Sequence, residues 1–185
     1  MNILAVEAST ESLSTALMAQ GKVFVYRSKL KSSHDEILLP AVARLMRRAK
    51  LKMGDLDAVA ASNGPGRFTG IRIGMAYAAV AAAQLKIPAL AISRFEAVAF
   101  KSQAPLVCAV IAGFREEKFY QLFRRRADGP PKAQGKPLWV SPEQWLTDRK
   151  TLEGRGAVVE NDETSALDLL APAEHWLKSG KLPKF

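Results

Sequence analysis

The sequence predicts an α/β protein, and three observations carry that prediction. Short apolar runs open the chain as a meander, helical-period segments then alternate with further strands, and a second strand pair follows a break at Ser102-Gln103-Ala104-Pro105. The order βββαβα, then a ββ-containing lobe, is an α/β pattern. It divides the chain into a first lobe at 1–102 and a shorter second lobe at 103–185, and 185 residues are enough for two small cores.

Residues 2–6, 12–18 and 22–28 read as strands, with Ala19-Gln20-Gly21-Lys22 as the turn between the second and third. Small polar residues in Glu7-Ala8-Ser9-Thr10 leave backbone amides accessible between the first two. Ser33-His34-Asp35-Glu36 has the form of a capping box. After it Ile37, Leu38, Ala41, Val42, Leu45 and Ala49 recur at helical spacing. Pro40 has no N–H to donate, so a kink or restart is expected there. Gly54 and Asp55 end the segment. A strand at 56–61 leads into a glycine-rich turn, a helix at 69–85, a strand at 89–92 and a helix at 93–101. Residues 106–112 and 118–124 pair as strands, and Asp128-Gly129-Pro130-Pro131 is a loop. Ser141-Pro142-Glu143 starts a helix with serine as cap and proline in the first turn. A strand at 156–160 and a helix at 172–178 complete the reading.

Hydrophobic residues make up 48% and charged residues 24%, the balance of a folded globular chain. No apolar run reaches the roughly 18 residues of a membrane span, so the alanine-rich stretch 75–85 reads as a buried helix. Met1-Asn2-Ile3-Leu4 lacks a basic region and Glu7 interrupts the apolar stretch, unlike a signal peptide. Cys108 is the single cysteine, set in an apolar run, which excludes a disulfide framework and favours a buried hydrophobe over a reactive thiol. Together these features predict a cytoplasmic protein. The formal net charge is +9, which suits nucleic acid or an acidic partner, or simply a soluble surface.

Gly64-Pro65-Gly66-Arg67-Phe68-Thr69-Gly70 is the most informative segment. A glycine-rich turn before a helix can cradle phosphate, yet the pattern is neither a P-loop nor GxGxxG. The alternative is a tight turn with Thr69 as helix cap. Gly70, Gly74 and Ala78 recur every four residues, and Ala81 and Ala82 continue that side. Such a stripe serves either close approach of a partner helix or packing within the monomer.

The segment from Gly64 to Gly74, ending Ile71-Arg72-Ile73-Gly74, resembles the signature Gly-Pro-Gly-Ser-Phe-Thr-Gly-Leu-Arg-Ile-Gly of the bacterial TsaB (YeaZ) family. Ile3-Leu4-Ala5-Val6-Glu7-Ala8-Ser9-Thr10 is similar to that family's opening strand. Ser33-His34-Asp35-Glu36-Ile37-Leu38-Leu39-Pro40 is similar to its His-Ser-Glu-x-Leu-Leu-Pro helix start. Order and spacing match through about residue 100.

The resemblance implies a two-lobed actin, sugar-kinase and Hsp70-like (ASKHA) fold with an abbreviated second lobe. It implies a non-catalytic partner of TsaD that works with the ATPase TsaE in threonylcarbamoyl transfer to adenosine-37 of tRNA (t6A synthesis). Partner contact through the helices at 33–50 and 69–85 is implied, with Leu38, Val42, Leu45, Gly70, Arg72, Gly74, Ala78 and Ala81 as contact residues. A homodimer of the lone chain stays open. Arg44, Arg47 and Arg48 share a flank and would add basic surface near tRNA. No cofactor is implied for the isolated chain; ATP or ADP at an interface with TsaD is allowed, with Glu7, Ser9, Gly64, Gly66 and Thr69 as candidate contacts.

No catalytic residue is assigned. TsaD-type chemistry needs a metal held by His-x-x-x-His, whereas His34 is followed at that spacing by Leu38. His175 has no neighbour at ligand spacing. A Ser–His–Asp set is not evident, against the old M22 glycoprotease label. The chain departs from the family at Glu7, where Asp is usual, and at Gly113-Phe114-Arg115, where Asp-Ala-Arg is usual. The C-terminal Pro-x-Tyr-Leu-Arg is missing before Lys184-Phe185. Two rivals remain: a stand-alone ATPase or phosphotransferase using the Glu7 and Gly64–Gly70 loops, and a nucleic-acid module using Arg124-Arg125-Arg126 with Phe123 and Tyr120.

Overall fold

The computed structural model describes residues 1–28, 33–125, 129–162 and 164–183. Arg126, Asp128, Lys184 and Phe185, used in the sequence reading, lie outside them. The chain forms two units, Met1–Ser93 with Thr164–Phe185, and Arg94–Glu163. This differs from a single cut at 102. Residues 94–101 pack on the strands that follow them, and the C-terminal segment returns to the first sheet.

The first unit is built on a five-stranded sheet in the order β3-β2-β1-β4-β5. Its strands are β1 Ile3–Glu7, β2 Ser14–Ala19, β3 Lys22–Arg27, β4 Ala58–Ser62 and β5 Ala89–Ile92. The first three form the expected antiparallel meander, and β4 and β5 run parallel to β1. The βαβ crossovers α1 (His34–Ala49) and α2 (Phe68–Leu85) supply the helices that cover one face. Leu4 and Val6 of β1 meet Leu38, Val42 and Leu45 of α1 and Ala78 of α2 in one core. A 3-10 turn at Ala166–Leu169 packs on β1, β2 and β4, and α5 (Leu170–Ser179) packs on β1, β4 and β5.

Three local expectations need revision. Ser33 is the N-cap of α1 but makes no side-chain cap bond; its hydroxyl donates to Asp35 instead. Helix α1 does not restart at Pro40 but runs on through it. Pro40 lies on the exposed side, where water can take the carbonyl it leaves unbonded. Helix α2 starts at Phe68 with Arg67 as N-cap, so Thr69 is inside the helix.

The second unit carries the sheet β10-β6-β7-β8, with β9 also paired to β7. These strands are β6 Leu106–Ala112, β7 Lys118–Arg124, β8 Lys132–Ala133, β9 Leu138–Val140 and β10 Val158–Asn161. Alternation along β6 sorts the two faces. Val107, Ala109 and Ile111 pack with Phe95, Val98 and Ala99 of α3 (Arg94–Lys101). Leu106, Cys108 and Val110 pack with Trp145 and Leu152 of α4 (Pro142–Gly154). The Ser141 hydroxyl accepts from Gln144 N, the cap the sequence predicts. Burial pushes the Cys108 thiol up to about 12, which makes it a poor nucleophile at neutral pH. Strands β8 and β9 were not foreseen, being two and three residues long.

Candidate functional site

Parallel pairing of β1 with β4 matches Val6 with Ala61, which brings the loops after both strands together. Glu7, Ser9 and Ser62 are buried there. The Glu7 carboxylate accepts from Ser9 N at 2.6 Å and from the Ser9 hydroxyl at 2.5 Å. The Ser9 hydroxyl lies 3.4 Å from that of Ser62, and Ser62 accepts from Gly64 N at 3.2 Å. Arg67 N donates to Ser9 O at 2.8 Å, which ties the start of α2 to the first loop.

This arrangement gathers Glu7, Ser9 and Gly64 and leaves Gly66 and Thr69 exposed at the rim. The Ser9 amide and hydroxyl and the Gly64 amide have internal acceptors, so these three donors are not open to a phosphate. Ser62 is the member that sequence reasoning missed; its position at the carboxyl end of a parallel strand beside β1 was the available signal.

Helix α2 is pressed hard against the same loop. A Cβ on Gly70 would lie 1.8 Å from Ala8 O, whereas one on Gly74 would meet Ala8, Val6 and Ala61 at 3.7–4.0 Å. Gly70, Gly74, Ala78 and Ala82 are the buried residues of α2. The small-residue stripe therefore faces the helix's own sheet, which corrects Gly70, Gly74 and Ala78 as partner contacts. Leu38, Val42 and Leu45 are corrected for the same reason, being 4%, 4% and 0% exposed in the core under α1. Arg72 is exposed and Ala81 half-buried.

What α2 presents outward is the opposite face. Phe68 and Val80 are 72% and 70% exposed, with Ala76 and Ala83 exposed between and beyond them. The Arg72 guanidinium lies 5.5 Å from the Phe68 ring centroid. With a mean hydropathy of 1.2 over 18 residues, α2 is by length and composition alone long and apolar enough to cross a membrane, unlike the short apolar run expected there. Its glycine and alanine stripe on a sheet nevertheless makes it a helix of the domain. On α1, Leu39 is 63% exposed, and Ala43 one turn on is exposed on the same side.

Other candidates separate. His34 Nε2 lies 3.2 Å from Glu11 O, and among the described residues no three His, Cys, Asp or Glu side chains gather as metal ligands. Phe123 and Tyr120 are buried in the second unit, and Arg125 donates to the carbonyls of Ala99, Phe100 and Ser102. They form no stacking platform for bases. A cavity of about 500 Å³ in the second unit is lined by Val98, Lys101, Ser102, Val159, Glu160 and Asn161.

The family model "TsaD: tRNA N6-adenosine threonylcarbamoyltransferase" matches residues 26–129, more than half of the chain. The tRNA threonylcarbamoyladenosine biosynthesis protein TsaB of Escherichia coli is 30% identical over 133 residues, 70% of this chain and 58% of that protein. The chain belongs to the TsaB (YeaZ) family. The TsaB of Bacillus subtilis is 36% identical over 100 residues, 54% of this chain and 44% of that protein. The structure of YeaZ from Pseudomonas aeruginosa superposes with a TM-score of 0.80 at 25% identity, covering 99% of this chain and 95% of that one. In sequence, the chain spans about half the length of the curated TsaB relatives it matches. The fold is the α/β type of YeaZ, with its two sheets in two units.

Proposed function

We propose that this chain is a non-catalytic subunit of t6A synthesis that docks on TsaD through the outward face of α2 and the adjoining flank of α1. The observation that carries this reading is the exposed apolar surface of α2, with Phe68 and Val80 more than two thirds exposed. A helix already packed on its sheet has no internal use for it, and contiguous exposed apolar surface marks a contact site. Family membership supports TsaD as the partner, with TsaE as a further member of the assembly. The closed Glu7–Ser9–Ser62 loop supports a scaffold over a stand-alone ATPase. In this role the protein works in the cytoplasm, where its tRNA substrate is.

Light-scattering chromatography with TsaD from the same organism tests it. The expected result is a one-to-one complex that Val80→Asp weakens by about thirtyfold, since a carboxylate desolvated in an apolar contact costs about 2 kcal/mol or more. The melting temperature of the lone chain should not move, because Val80 is exposed. An unchanged complex with the variant would remove α2 as the docking face.

A further inference from the structure

We propose that the flank of the first unit formed by α1 and the edge strand β3 is a contact surface for the phosphate backbone of RNA. This deepens the t6A reading and rests on it for the kind of RNA, the tRNA substrate. The side chains that form the surface have no part in the docking face of α2.

Alternation along β3 turns Phe24 and Tyr26 toward α1. The Arg44 guanidinium lies 5.9 Å from the Tyr26 ring centroid, and that of Arg48 lies 5.7 Å from the Phe24 centroid. A guanidinium stacked on a ring engages its face and leaves the in-plane N–H donors for bidentate acceptors such as phosphate. One Arg48 donor makes a long contact of 3.4 Å to Val25 O. Arg47 stands exposed between these two arginines and the flank bearing Leu39, and Lys22 and Lys50 are exposed at the same end.

None of Arg44, Arg47 and Arg48 is in an ion pair among the described residues. The acidic residues of α1, Asp35 and Glu36, are in its first turn, about 12 Å or more along the axis from Arg44. A helix C-terminus favours basic residues in its last turn, which accounts for Arg47 and Arg48. It does not account for Arg44 or for two aromatic seats on a sheet edge. The same edge also explains why the arginines stay in place: ring stacking fixes long side chains that would otherwise lose entropy on binding.

The test is fluorescence anisotropy of an unmodified tRNA transcript with the lone chain, across a potassium chloride series. The expected result is salt-dependent binding that Arg44→Gln, Arg47→Gln and Arg48→Gln together weaken tenfold or more. Their logarithmic salt slope should fall by about 2 to 3, three released contacts. The triple Arg→Lys variant should keep the slope, and circular dichroism should show every variant folded at the assay temperature. Wild-type binding absent even at low salt, or an unchanged slope in the Gln variant, would overturn the proposal. So would a Gln variant that keeps its RNA affinity and loses the TsaD complex, because the arginines would then serve a protein. RNA binding that persists and falls as expected with no TsaD complex would instead overturn the docking reading alone.

Discussion

Gly70 and Gly74 sit one turn apart on the same helix face and meet different demands. At Gly70 a methyl group would overlap a backbone carbonyl, Ala8 O, which cannot swing aside. Gly70→Ala should therefore cost about 3 kcal/mol or more in urea unfolding, at the upper end of overpacking effects. Gly74→Ala brings only ordinary contacts at 3.7–4.0 Å and removes helix-interior glycine, so it should be neutral or stabilising by up to about 1 kcal/mol. Equal losses for both would mean that the loop after β1 can yield. A bulky residue at Gly74 would strike the protein's own sheet, so loss of a complex in such a variant would report a damaged fold.

Helices α1 and α2 show what periodicity can and cannot tell. Helical spacing in α1 and α2 was readable, including the glycine and alanine stripe, and the strands β5, β6 and β7 fell at the residues expected. Which face of α2 turns inward was not. A stripe of small residues permits close approach by anything, and only the crossover between β4 and β5 shows that its neighbour is the sheet. The loop cluster was half legible for a similar reason. Glu7, Ser9 and Gly64 stood out by sequence, whereas Ser62 joins them only through the β1–β4 register. Helix α1 divides its exposed side between Leu39 and Ala43 toward one flank and Arg44 and Arg48 toward the other. Leu39→Glu is accordingly expected to weaken the TsaD complex about tenfold while leaving salt-dependent RNA binding intact, measured by the same chromatography and anisotropy. Loss of both together would show that the two flanks act as one surface.

For the molecule as a whole, alkaline pH is the informative stress. Tyr120 is raised to about 12, first by burial, then by the hydrogen bond it donates to Asp148 at 2.9 Å and by that carboxylate's charge. Cys108, beside it in the core under α4, is raised to about 12 by burial and by Asp148. The fold keeps both neutral, and the unfolded chain ionises them from about pH 9 to 10. Their contribution is fully present below that range and is lost as pH climbs to about 12. Tyr120→Phe should flatten the fall in melting temperature above pH 10, after a loss of about 1 kcal/mol at neutral pH for the missing hydrogen bond. An equally steep fall in that variant would place the alkaline sensitivity elsewhere.

The first sheet is closed from its second side by the turn at Ala166–Leu169, where Ala166 N donates to the Ser14 hydroxyl across 152 residues of sequence. During synthesis β1, β2 and β4 leave the ribosome long before that cover exists. The intervening unit, whose contacts lie within Arg94–Glu163, can complete itself first, while one face of the earlier sheet waits uncovered. One face of the oldest strands thus stays open until residues 166–179 have been made, a stage at which exposed apolar strands are prone to associate.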